Sequence, residues 1–427
     1  MDPKGFARSK EYWVKFGWGV LVGAITALSV LLFNYLMNLG LKFLWPEQIP
    51  AEPFSGSWQI IVILTVAGFI VGLIYRYTKA KEVGVFELLT QDKVDVSPVP
   101  SGLLVSLISL IGGFSVGPEV PSAMIGGWIA TKISEYRKLS DEIRQSNVIS
   151  SITAAYGGLF TSPLGSILIP IETPHVHSLA YIGTLLVAFA ASVVGFAIFY
   201  FSGGNEFAGL LRILDLPMYT LLDWHLLVAI VLGVIGAALA VLFGLTMGVL
   251  KRLIAPLNSR PILRNTLAGF LLGLLGYALP LTLFLGSDGL VFVTDNATEL
   301  GVALLIVYVF AKLLATAGAI SSGFIGGPIF PLFFVGGTLG AVVTLLFPGI
   351  PIALSVGCLM VAVTAGILPI PLSLGVYVVL IVGVPITESI PILIAAMTSF
   401  LVVKGFGLIP PAQRPKTHQP NYSQTST

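Results

Sequence analysis

An all-α integral membrane fold built from two inverted-topology repeats with re-entrant or broken helices is what this sequence predicts. Three observations lead there. Of 427 residues, 56% are hydrophobic and only 10% charged, with a mean hydropathy of +0.97, where a soluble domain carries about a quarter charged residues. A peptide at 113–127, GFSVGPEVPSAMIGG, returns at 323–337 as GFIGGPIFPLFFVGG, identical at seven of fifteen positions without a gap. Basic residues gather at some ends of the apolar segments and are missing from others.

The apolar segments come first. A hydrocarbon core of about 30 Å takes about 20 helical apolar residues, and the runs 14–44, 60–75, 179–201, 226–250, 266–284 and 300–314 are candidates to span it. Runs 103–114 and 331–347 are short or interrupted by Gly and Pro. Such segments are expected to be half-spanning or re-entrant, which a bilayer tolerates only where protein or a polar cavity surrounds them.

Charge placement orients the segments. Lys4, Arg8, Lys10 and Lys15, then Arg76, Lys79 and Lys81, then Lys132, Arg137, Lys138 and Arg144, then Lys251, Arg252, Arg260 and Arg264 form basic clusters. The stretches holding Glu47 and Glu52, or Asp288, Asp295 and Glu299, lack Lys and Arg. The positive-inside rule puts the basic clusters and both termini on the cytoplasmic side, in the inner membrane if the source is a prokaryote. The first apolar run is long and no small-residue cleavage site follows it, so a removable leader is not expected.

The domain organisation follows from the repeat. A polar stretch at 202–223 links a first membrane repeat, 1–201, to a second, 224–409, and the polar, Pro-rich tail at 410–427 is expected to be disordered. Ser162-Pro163-Leu164 lies opposite Ile370-Pro371-Leu372 at an offset of 208, close to the 210 of the longer match. Basic loops on one side in both halves require the second half to run opposite to the first. In such inverted repeats the site lies near the midplane between halves.

The copied residues are backbone-special: Gly113/Gly323, Gly117/Gly327, Pro118/Pro328, Pro121/Pro331 and the Gly126-Gly127/Gly336-Gly337 pairs. A helix beginning near each Gly-Pro offers free amide N–H groups and the positive end of its dipole, which is an anion site without a side-chain cation. Gly117, Val120, Gly327, Ile329 and Phe330 are the candidate donor positions. Partial charges hold an anion weakly enough to release it, which suits permeation. Glu119 faces Ile329 between the copies, so only the first carries a carboxylate. A lone carboxylate at membrane depth is costly; Glu119 is expected to act as a gate, its ionised group occupying the anion's place and leaving when protonated or outcompeted.

Other chemistry is limited. Cys358 is the single cysteine, which excludes an intrachain disulfide and a thiolate metal cluster. The Gly-rich segments lack a Lys-Ser/Thr partner, so ATP-driven pumping is not expected, and a net charge of +2 gives no sign of nucleic acid. Glu172, His175 and His177 within IETPHVH have the donor types of a zinc site. An intramembrane metalloenzyme built on them is the alternative from a different class; otherwise no metal or cofactor is expected.

With these residues in place, the chain resembles the CLC family of chloride channels and proton-coupled chloride antiporters, in its prokaryote-type form without CBS domains. The family's G-[K/R]-E-G-P element corresponds to Gly117-Pro118-Glu119-Val120-Pro121, its G-x-F-x-P element to Gly327-Pro328-Ile329-Phe330-Pro331, and its central Pro-Leu to Pro163-Leu164. The resemblance covers about residues 60–405 and implies a homodimer with one pore per subunit, chloride or a similar small monovalent anion as cargo, and Glu119 as the gating glutamate. It also implies departures. The family's G-S-G-I-P loop becomes Glu82-Val83-Gly84-Val85-Phe86, so Val83 stands where a serine hydroxyl would reach the anion. Pro118 replaces a basic residue and Pro328 removes one amide, and a lost buried donor weakens a site by about 1–3 kcal/mol. Phe406 is the nearest candidate for the family's pore-lining tyrosine. Thr173 falls where many exchangers carry an internal glutamate, with Glu172 one residue before it. Glu119, Glu172 and Thr173 are thus the proton-pathway positions, and coupled exchange and uncoupled conduction both remain open.

Overall fold

The computed structural model describes residues 9–46, 52–81, 85–90, 95–173, 179–202 and 214–408. Among them the first half holds α1 (Lys10–Leu44), α2 (Gln59–Tyr77), α3 (Val85–Thr90), α4 (Val99–Ile111), α5 (Glu119–Tyr136), α6 (Asp141–Leu159), α7 (Pro163–Glu172) and α8 (Leu179–Phe201). The second holds α9 (Asp223–Ile254), α10 (Pro261–Ala278), α11 (Ser287–Asp295), α12 (Ala297–Ser322), α13 (Ile329–Leu346), α14 (Ile352–Ile367), α15 (Pro371–Val382) and α16 (Ile386–Phe400). A single turn of π-helix, Leu401–Gly405, follows α16. The tail at 410–427 lies outside the described residues.

Eight helices answer eight, and their packing repeats. α6 lies against α1, α5 and α8, as its counterpart α14 lies against α9, α13 and α16. α4 packs between α2 and α5, and α12 between α10 and α13. The halves meet where each element touches its own counterpart, α2 on α10 and α7 on α15. The repeated peptides explain this: they copy a path of turns, and the same turns send the following helices in the same relative directions.

Among the described residues seven helices are long and apolar enough to cross a bilayer: α1, α2, α8, α9, α12, α13 and α16 with its π-turn. α4, α7, α14 and α15 are apolar but shorter. Two boundaries differ from the hydropathy reading. The run 331–347 belongs to the 18-residue α13, because Pro331 falls in the first turn, where a missing N–H costs nothing. The run 266–284 does not stay helical: α10 stops at Ala278, ahead of a 3₁₀ turn at Pro280–Thr282.

Outer faces of the spanning helices carry bare Leu, Ile, Val and Phe, such as Leu28 and Leu32 on α1 and Leu227 and Val231 on α9. Polar residues are kept inside: Ser146, Asn147, Ser150, Ser151 and Thr153 on α6 are all buried. This is the inverse of a soluble bundle and suits a lipid surround.

Candidate functional site: two helix starts and one carboxylate

The repeated peptides meet at the centre of the molecule. Gly117 N donates to Gly327 O and Gly327 N to Gly117 O, both at 2.8 Å, forming an isolated antiparallel bridge between the halves. Phe114 and Phe324 stack beside it with ring centroids 3.7 Å apart. Each loop leaves its helix through a glycine in the left-handed region, Gly113 at φ +88 and Gly323 at φ +92, a conformation in which a side chain would be strained.

Both hinges are clamped by the opposite half. Phe284 N donates to Gly113 O at 3.0 Å, and Lys312 Nζ, fully buried on α12, donates to the carbonyls of Leu283 (2.7 Å), Phe284 (2.9 Å), Thr282 (3.2 Å) and Leu281 (3.4 Å). Gly323 O accepts from the Tyr75 hydroxyl at 2.7 Å, with the Arg264 guanidinium 5.4 Å from that ring's centroid. Ser115 and Thr316 share a hydroxyl contact of 2.9 Å.

Past the bridge, α5 and α13 begin. Pro118 and Pro328 stand at the N-cap positions, one place earlier than the first-helical position expected from sequence. The first helical bonds are Ser122 N to Pro118 O and Leu332 N to Pro328 O. The amides of Glu119 and Val120, and of Ile329 and Phe330, therefore precede the helical ladder, while Pro121 and Pro331 have no N–H. Two helix starts thus leave two amides each outside the helical ladder.

Glu119 is the first residue of α5. It is 1% exposed, and its Oε1 accepts from Ile329 N at 2.6 Å across 210 residues of sequence. The amides of Phe330 and of Glu119 itself also face the carboxylate. Among the described residues Oε2 has no hydrogen-bond partner. A Cβ on Gly117 would collide with Oε2, and one on Gly327 with Cδ and Oε1. The two glycines, expected to act as amide donors, spend their N–H groups on each other and provide room instead.

The remaining sequence candidates are placed as follows. Val120, 8% exposed, lies beside Glu119 in the first turn of α5. Val83 lies outside the described residues, as do His175 and His177. Glu172, at the end of α7, caps α15: Oε1 accepts from Leu372 N at 2.6 Å, and Oε2 from Ser373 N at 2.9 Å and Ser373 Oγ at 2.6 Å. Thr173 is buried, its hydroxyl donating to Ile169 O at 2.7 Å. Phe406 is 78% exposed and lines no interior path. Tyr156 and Tyr377, which sequence reading passed over, are among the buried tyrosines: Tyr377 stacks on Phe160 at 4.1 Å, and Phe160 faces Phe330 at 5.5 Å. Lys312 was also missed, although a lysine in the apolar run VYVFAKLLATAG is a visible signal.

Free amides converging on a buried point inside a two-half membrane bundle define an anion-transport protein. A family model described as voltage gated chloride channel matches residues 63–404, and the chain belongs to that family, the CLC proteins. The "Putative ion-transport protein YfeO" of Salmonella paratyphi A is 30% identical over 353 residues, covering 79% of this chain and 82% of that protein. The protein of the same name from Salmonella typhimurium matches to the same extent. Among solved structures, a slow cyanobacterial Cl-/H+ antiporter superposes with a TM-score of 0.75 at 20% identity, covering 92% of this chain and 95% of that one. A CLC-type fluoride/proton antiporter gives 0.72 at 20% identity, covering 93% and 96%, and a eukaryotic CLC transporter gives 0.73 at 18%, covering 93% and 73%.

The family consists of transport proteins, and the metalloenzyme alternative falls with that finding. Glu172, the one of its three residues that is described, is engaged elsewhere. Both oxygens of Glu172 are taken by donors of α15, and among the described residues no three His, Cys, Asp or Glu side chains group as metal ligands.

Proposed function

We propose that this protein exchanges chloride, or a similar small monovalent anion, for protons, with Glu119 serving as both gate and proton carrier. The observation that supports this best is the Glu119 carboxylate seated on the Ile329 amide with Oε2 bare. An ionised carboxylate and a halide are alternative occupants of the same donors, the amides of Val120, Ile329 and Phe330, so the path is closed while Glu119 is charged and in place. A proton on Oε2 removes the charge that holds the side chain against two helix dipoles. The neutral group leaves, an anion takes the amides, and the proton departs with the side chain. Pro328, by removing an amide from the second helix start, makes the seat a weak one and favours release.

Termini in the cytoplasm, a homodimer with one path per subunit and, in a prokaryote, the inner membrane complete this reading. The sign of its pH dependence follows: flux rises as pH falls, because protonation opens the gate. Proteoliposomes loaded with chloride and followed for both ions test it. An outward chloride gradient is expected to drive proton uptake, and Glu119→Gln, which keeps the shape and cannot ionise, is expected to abolish proton movement and flatten the pH profile to within about twofold. A reversal potential tracking chloride alone, without proton uptake, would replace exchange by uncoupled conduction. An unchanged pH profile in Glu119→Gln would remove the gate from Glu119. Running the assay with fluoride in place of chloride decides the cargo.

A further inference from the structure

Two interior cations of the second half stand by the two hinges, and they differ in what they have left to give. Lys312, beside the first hinge, turns its ammonium to four carbonyls. Arg264, on α10 beside the second, is only half-buried. Its Nε donates to Asn265 Oδ1 at 3.1 Å and its Nη1 to Asn258 Oδ1 at 3.2 Å. A guanidinium has five N–H donors, so three of them, on Nη1 and Nη2, have no acceptor among the described residues.

The free edge lies against the turn that feeds the anion seat. The guanidinium stands over the Tyr75 ring, 5.4 Å from its centroid, and the Tyr75 hydroxyl holds Gly323 O. Asn265 Nδ2 holds the neighbouring carbonyl, on Ser322, at 3.1 Å. Arg264 Nη2 would be 2.9 Å from a Cβ built on Gly323. From Gly323 the chain runs straight to the Ile329 amide, on which Glu119 sits.

Among the described residues no carboxylate answers this charge. α10 packs chiefly on α2, on α12 and on the 3₁₀ turns at Ala255–Leu257 and Pro280–Thr282. Residues 53–81 and 224–287 contain no Asp or Glu, and the one acidic residue of α12, Glu299, lies in its first turn while Gly323 follows its last. Arg76, next to Tyr75, and Arg260, at the N-cap of α10, strengthen the same positive field. A planar cation with spare N–H groups and no counter-charge in the protein takes its counter-ion from solution.

We propose that Arg264 is an anion-docking site beside the second hinge, collecting the permeant ion before it reaches the amides of Ile329 and Phe330. It rests on the anion-transport reading and is independent of proton coupling. Chloride takes the uncommitted N–H groups of Nη1 and Nη2, where a weakly hydrated guanidinium asks little desolvation of it. Half-exposure keeps the contact weak enough to hand the ion on.

Chloride efflux from proteoliposomes, followed as a function of chloride concentration, reads the site. Arg264→Gln is expected to raise the half-saturating concentration about two- to fivefold at low ionic strength and to leave the maximal rate within about twofold, the scale of a partly screened charge pair. Asn258→Asp sets a carboxylate against Nη1 without changing shape, and is expected to do the same even where Arg264→Gln does not fold. Arg264→Lys keeps the charge and is expected to stay within about twofold of the parent. Sodium gluconate at about 1 M, where the screening length is about 3 Å, is expected to close the gap between parent and variants. A half-saturating concentration within about 1.5-fold of the parent's in Asn258→Asp at low salt would overturn the docking site and leave anion transport standing. A lower maximal rate without that rise would overturn it too, making Arg264 a prop for Tyr75. A parent protein that releases neither chloride nor fluoride would overturn the transport reading itself, and the site with it.

Discussion

The two oxygens of Glu119 live in different surroundings, and the pair of glycines beneath them decides whether they can be there at all. Among the described residues Oε1 is bonded and Oε2 is not, while Gly117 and Gly327 leave the room that the carboxylate fills. Gly327→Ala places a methyl group inside the carboxylate, and the loop cannot retreat while the Gly117–Gly327 bridge holds. The side chain is then expelled from its seat. The expected outcome is anion flux at neutral pH raised toward its acid-pH level, with pH dependence cut to about twofold; a variant with the parent's full pH profile would show that the glycine is spare room. Glu119 was legible in the sequence because it is the one charged residue in the paired peptides. The glycines' true task was not, since two loops 210 residues apart must be placed before their amides are seen to satisfy each other.

Single helices and their flanking turns are where the halves cease to be equivalent. The first hinge carbonyl, on Gly113, is held by a backbone amide whose own turn is gathered by Lys312; the second, on Gly323, is held directly by the Tyr75 hydroxyl. Among the described residues Lys312 has no carboxylate partner, and its Nζ lies 5.2 Å over the Phe334 ring, so carbonyl dipoles and a π-face are what surround it. Lys312→Met keeps the side chain out to Cε, removes the ammonium and leaves those carbonyls bare at a cost of about 1–3 kcal/mol for each one not rescued by water. A fall in thermal stability in detergent of at least this order is expected, together with loss of transport as the turn over Gly113 loosens. Wild-type stability in that variant would show the lysine to be incidental. Little of this could be read beforehand. Helix positions follow from hydropathy, and the starts of α5 and α13 follow from Gly and Pro. That Phe160, just past the end of α6, stacks on Tyr377 of α15 depends on packing that one sequence does not encode locally. The Val83 loop is a different case, read from a family pattern and lying outside the described residues.

The whole molecule is two halves joined along α2 and α10, and there the chain was informative in advance, because the duplication itself announced two units. The joint is made by small residues: a Cβ on Gly68 would strike Asn265 O, and one on Gly269 would strike Leu64 O. Backbone-to-backbone approach of this kind is how apolar helices associate when lipid gives them no hydrophobic reason to do so. Gly269→Leu forces the pair apart against main chain rather than a yielding side chain, costing upward of about 1–3 kcal/mol. The expected result is a drop in monodisperse protein on size-exclusion chromatography, and recovery at parental yield would show that the joint tolerates separation.

The bridge between Gly117 and Gly327 has a consequence for how the machine turns over. Each half ends its central loop in a main-chain pairing with the other, so large rocking of one half against its twin would tear the very contact that shapes the seat. On the proposed reading the work of a cycle is left to a swinging Glu119 carboxylate, a movement too small to displace much lipid. Turnover in such a device is set by local barriers, and is largely indifferent to acyl-chain length and lateral pressure.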